Sequence, residues 1–173
     1  MRRTLLLFAS LLLLWGVVAE LNHALGTVRV YLFAGALFVA WAALTQPLEI
    51  GLTASLLGAL VCDANAPVAF GTHLVLFAAA HLLIHHIRER VPRDDRIACI
   101  LIVLFANLGL FLLFSFTQIH RSPAPAAVWP RLFADLACSQ VFLALVTPWF
   151  FALQERLVGL VDPLGSARPA SRA

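Results

Sequence analysis

The run IACILIVLFANLGLFLLFSFTQ, residues 97–118, contains no charged side chain. A helix needs about 20 apolar residues to cross a hydrocarbon core of about 30 Å, so this stretch reads as a transmembrane helix. One such span makes the bilayer the solvent for the chain. Working outward, the pattern recurs. Residues 68–87 precede the run, behind the arginine-rich loop 88–96, and residues 130–154 follow it, opening on Pro130 and closing before Glu155 and Arg156. Towards the N-terminus lie 50–62, then 30–44, closed by Thr45-Gln46-Pro47, and a Leu-rich 4–19 bracketed by Arg2, Arg3 and Glu20. The expectation is an all-α polytopic membrane bundle of six transmembrane helices over residues 1–161, with 162–173 a disordered cytoplasmic tail rich in Pro, Gly, Ser, Arg and Ala.

Composition agrees with this class. Of the 173 residues 62% are hydrophobic and 12% charged, whereas water-soluble domains carry roughly 45–50% and about 25%. All twelve basic residues are arginine and the net charge is +3. They are scattered near span ends and form no basic face, so nucleic acid is not an expected partner. The three cysteines, Cys62, Cys99 and Cys138, lie in or beside apolar runs without CxxC spacing and read as small buried residues.

The arginines set the orientation. With the N-terminus inside, Arg2, Arg3, Arg88, Arg90, Arg93, Arg96, Arg156, Arg168 and Arg172 are cytoplasmic, and Arg29, Arg121 and Arg131 are outside. Nine against three predicts six crossings with both termini cytoplasmic. The first segment, with Val17-Val18-Ala19 before Glu20, also fits a cleavable secretory signal. Trp15, Trp41, Trp129 and Trp149 sit towards span ends, as in an aromatic belt.

Polar residues inside the spans are the candidate sites. Gly51, Ser55 and Gly58 form a small-residue face at spacings of three and four, suited to close helix contact within the chain or with a partner. The span 50–62 covers only about 20 Å as a helix, so it is expected to be buried inside the bundle. Asp63 opens a turn, Asp63-Ala-Asn65-Ala-Pro67, where Asp63 and Asn65 can cap the turn and the next helix. Asp135 reads as a carboxylate in the first turns of the sixth span, favoured by the helix dipole, and Ser139 and Gln140 extend it into a polar patch. Asn107 is expected to bridge helices. His81 and His85 have an i, i+4 spacing, but without HExxH or a third ligand they read as interfacial histidines, and His73 as a packing residue. With no nucleophile motif or phosphate-binding glycine loop, the expectation is a protein that is not an enzyme and has no cofactor or metal.

The stretch Pro47-Leu-Glu-Ile-Gly51-Leu-Thr-Ala-Ser-Leu-Leu-Gly58-Ala-Leu-Val-Cys-Asp63, followed eight residues later by Gly71, resembles the bacterial rod shape-determining protein family MreD. So do the arginine-flanked loop before the fifth span and the closing segment 142–157 with Pro148. The resemblance covers most of residues 1–160. It implies a non-enzymatic scaffold subunit of the cell-elongation, peptidoglycan-synthesising machinery in the bacterial inner membrane. Its implied partners are the lipid bilayer, an MreC-like protein and the peptidoglycan elongation enzymes, and its fold is similar to the six-helix substrate-binding subunits of energy-coupling-factor transporters. That fold similarity supplies the alternative, a membrane subunit binding a vitamin or small solute. Such a subunit needs a polar-lined pocket, for which the outer half is poor, offering only Asp135, Gln140, Asn107, Trp129 and His120.

Overall fold

A computed structural model describes residues 2–65, 68–90, 95–119 and 125–161; the tail 162–173, Pro67, Arg93, His120 and Arg121 lie outside the described residues. Among the described residues six α-helices follow in order: α1 Arg2–Leu25, α2 Gly35–Thr45, α3 Leu48–Asn65, α4 Thr72–Ile87, α5 Arg96–Ile119 and α6 Pro125–Val161. There is no strand among the described residues. Arg3–Val28, Leu48–Asn65, Arg96–Ile119 and Val128–Leu160 are long and apolar enough to cross a membrane. The chain is therefore an all-α protein of membrane-spanning type.

The helix boundaries depart from the sequence expectation, and α2 and α4 begin only at Gly35 and Thr72 rather than at 30 and 68. The first helix runs through Glu20 to Leu25, and the last begins five residues before Pro130, holds both Pro130 and Pro148, and runs past Glu155 and Arg156 to Val161. Membrane helices tolerate internal proline because neighbouring groups re-satisfy the freed carbonyl. The third helix has 18 residues rather than a short core, so it is not the buried one. That place belongs to α2, of 11 residues, in which every residue from 36 to 44 is buried.

The packing explains why α2 is apolar on all sides. Helix α1 packs on α3 and α6, α3 on α4, α4 on α5, and α5 on α6, closing a ring of five. Helix α2 stands inside the ring against α3, α4 and α5. A helix with no face to solvent or lipid needs no polar stripe, and ALFVAWAAL, residues 36–44, has none. Its alanines let neighbours approach, while Leu37, Phe38 and Trp41 fill the ring and are at most 1% exposed. Trp41 is thus a core residue and not part of an aromatic belt, whereas Trp149 is 80% exposed.

Helix α2 stops where Pro47 forces it to. A residue before proline is pushed out of the helical region, and Gln46 is extended at φ −101° and ψ 156°. Arg88 reaches from the end of α4 to donate to the Gln46 carbonyl at 2.9 Å. At its other end α2 starts only at Gly35. Eleven residues give about 16 Å of helix, roughly half a hydrocarbon thickness, so α2 fills the centre of the ring over half its depth.

Candidate functional site

In the other half of the ring the chain leading into α2, residues 30–34, forms no regular structure. Backbone outside a helix is tolerated among apolar surroundings only if its polar groups find partners, and here side chains from α1 and α6 supply them. The N–H of Tyr31 donates to Oδ1 of Asp135 at 2.9 Å, and that of Phe33 to Oγ of Ser139 at 3.0 Å. Asn22 holds Leu32 on both sides. Its Oδ1 accepts the Leu32 N–H at 2.7 Å, and its Nδ2 donates to the Leu32 carbonyl at 2.9 Å.

This arrangement revises the role of Asp135. Because α6 begins at Pro125, the residue lies in the third turn, beyond the reach of the helix dipole; it is buried as the acceptor for Tyr31. Arg131 Nε stands 4.0 Å from Oδ2, from a side chain 64% exposed, an ion pair of little energetic weight. Ser139 also donates to the Asp135 carbonyl at 2.7 Å. The expected bridge from Asn107 is made by another residue. Gln140 Nε2 donates to the Leu104 carbonyl at 3.0 Å, joining α6 to α5, while both amide atoms of the buried Asn107 lack a partner among the described residues.

A second polar latch closes the same end of the bundle. Asp63 and Asn65 belong to the last turn of α3 rather than to a turn after it. The Asp63 carboxylate accepts the N–H groups of Gly71 at 2.9 Å, His73 at 2.8 Å and Leu74 at 3.2 Å, and Nδ1 of His73 at 2.9 Å. It therefore caps α4 across the α3–α4 connection. Gly71 has φ +94°, a left-handed conformation in which a side chain is strained. Asn65 turns back to its own helix, donating to the Val61 carbonyl.

The small-residue face of α3 is occupied within the chain. A Cβ on Gly58 would collide with the Leu11 side chain of α1, and one on Gly51 would stand 2.9 Å from the Ala42 carbonyl oxygen and 2.8 Å from Cε1 of His81. Ser55 shares a 3.1 Å hydrogen bond with Nδ1 of His81. His81 is completely buried inside the bundle. Since the Ala42 oxygen is backbone and cannot step aside, Gly51→Ala is expected to destabilise the chain by about 1–3 kcal/mol. Leu56→Ile, at a half-buried position of the same helix, should be mild. Thermal unfolding of the purified variants checks this, and equal melting temperatures would show that the close approach carries no energy.

Between the two latches lies a cavity of about 510 Å³. Leu11, Leu14 and Trp15 of α1 line one side, Gly35 and Phe38 of α2 the floor, and Phe77 and Phe114 the far side. Polar groups enter from Asn22, Tyr31, Asn65, His73 and Gln118. Of the five residues the sequence offered for a pocket, Asp135, Gln140, Asn107 and Trp129 are not on its wall, and His120 lies outside the described residues. The true lining is hard to read in advance because Asn22 and Gln118 stand at span ends, where polar residues are ordinary, and Gly35 is one glycine in an apolar run. Among the cysteines, Cys62 lines the cavity and Cys138 is exposed on α6 rather than buried. Compared with known proteins, the chain matches no family model, no curated protein and no solved structure.

Proposed function

We propose that this chain is a non-enzymatic scaffold subunit of the bacterial cell-elongation machinery, similar to MreD, held in the cytoplasmic membrane with both termini inside. The observation that carries the reading is where the residues behind the resemblance lie. Gly51 and Gly58 are points of tight helix contact, and Asp63 and Gly71 form one latch joining α3 to α4. A stretch that organises the packing of four helices is what a rigid, partner-presenting subunit requires. Six crossings are compatible with the geometry. Residues 30–34 can span at most about 17 Å and α2 adds about 16 Å, together enough for the second crossing, and α4 supplies the fourth.

The test is co-purification with an MreC-like protein, together with reporter fusions in the 88–96 loop and at the C-terminus. Capture of that partner and cytoplasmic reporter activity at both points are expected, and depletion should round or widen a rod-shaped host. Periplasmic activity at either point, or unchanged shape with no partner captured, overturns the reading. One observation favours a second reading, a subunit that binds a small solute for uptake: the cavity, which in this orientation occupies the outer half of the bundle. Loss of vitamin uptake with normal cell shape would support it.

A further inference from the structure

The cavity follows from the architecture rather than from loose packing. A ring of five helices encloses a central helix that is only half as deep as the ring. In the remaining half, Asn22, Asp135 and Ser139 hold residues 31–33 by their backbone towards α1 and α6. The space left, about 510 Å³, is within the roughly 300–1,000 Å³ of small-molecule sites.

Its chemistry is graded. At the deep end Leu11, Phe38 and Phe77 are buried, whereas Tyr31 and Asn65 at the other end are exposed and Asn22 and Gln118 half-exposed. Among the described lining residues none is Asp, Glu or Arg, so no carboxylate or guanidinium there pairs with a phosphate, carboxylate or ammonium, and burying an unpaired charge is costly. Trp15, Phe38, Phe77 and Phe114 put aromatic rings on the wall, and His73 sits among them with ring centroids 4.8 Å from Phe114 and 5.8 Å from Phe77. The Asp63 latch fixes that ring. A carboxylate can only accept, so Nδ1–H of His73 donates to it, and Nε2 of the uncharged ring is the acceptor left for a ligand. No hydrogen bond within the described residues uses Nε2.

We infer that the cavity is a binding site for a neutral, ring-bearing amphiphile. Its flat apolar body packs among Phe38, Phe77 and Phe114, and a hydroxyl or N–H donates to His73 Nε2. Asn65 and Gln118 meet the more polar end at the rim. The inference deepens the solute-binding reading but requires no transport, and it stands whether or not an MreC-like partner is found.

The test uses the purified full chain in detergent with three probes of one shape: 1-hydroxypyrene, pyrene and 1-pyrenecarboxylate. Saturable stabilisation against heat is expected from 1-hydroxypyrene. Pyrene should bind about fivefold more weakly, as for the loss of one neutral hydrogen bond, and the carboxylate more weakly still. Val18→Trp, which fills the cavity from α1, should abolish the shift. His73→Phe leaves Asp63 its three backbone donors and so keeps the latch, and it should make 1-hydroxypyrene and pyrene bind alike. Absence of a saturable shift, an undiminished shift in Val18→Trp, or an unchanged preference for 1-hydroxypyrene in His73→Phe would each overturn the inference. Displacement of the probe by dihexanoyl phosphatidylglycerol would do so too, because it would mark an acyl-chain slot.

Discussion

Asp63→Ala should lower the stability of this protein by about 3–5 kcal/mol, the cost of removing one side of a buried, charge-bearing network. Asp63 is 4% exposed, and its carboxylate accepts four hydrogen bonds, three from the backbone at the start of α4 and one from the His73 side chain. Alanine leaves four donors unpaired, each unsatisfied buried group costing about 1–3 kcal/mol, with some recovered where water reaches the half-exposed Gly71. Asp63→Asn should be intermediate, since the amide oxygen still accepts but the NH2 faces donors. His73→Phe should be the mildest of the three because the backbone bonds remain. Melting temperatures check this order, in which damage falls from Asp63→Ala through Asp63→Asn to His73→Phe. Loss of hydrogen-exchange protection at residues 73–75 should appear first in the alanine variant. An alanine variant as stable as the parent would show that the latch is decorative.

Asn22→Leu is expected to be nearly as damaging, at about 2–5 kcal/mol, because one side chain satisfies both backbone groups of Leu32 and each group left unpaired costs about 1–3 kcal/mol. Leucine suits the apolar surroundings of α1 but strands an N–H and a carbonyl, and a membrane interior offers them no solvent. Asp135→Asn provides the contrast. Its amide oxygen can still accept from the Tyr31 N–H, so a loss of less than about 1 kcal/mol is expected. Unfolding measurements on the two variants decide the point. If Asn22→Leu unfolds like the parent, residues 30–34 are not held by their backbone, and the shape of the cavity needs another cause.

What the chain reveals in one dimension is what depends on local sums. Apolar length, charge at span ends and proline positions belong to contiguous residues, so the helices around 4–19, 50–62, 68–87, 97–118 and 130–154 are readable, as is the small-residue face Gly51, Ser55 and Gly58. Boundaries drift because Glu20 is read as a stop and Pro130 as a start, although a membrane helix can carry both near its ends. Asp63 is legible as a capping residue, since a carboxylate beside a helix start has few other uses, but its four donors are not.

Residues 30–34 show where local reading ends. The sequence Val-Tyr-Leu-Phe-Ala is as apolar as any span and suggests helix. It is not helical because its N–H groups are taken by Asp135 and Ser139, 104 and 106 residues further along, and by Asn22. No window of sequence contains both halves of those bonds. The same holds for α2, whose central place is set by five helices closing around it, and for the cavity, which exists only because a short helix stands inside a deeper ring. Sequence alone determines which segments leave water, because transfer free energy is additive over residues. Tertiary structure decides which backbone groups meet and which space stays empty, because both depend on pairs far apart in the chain.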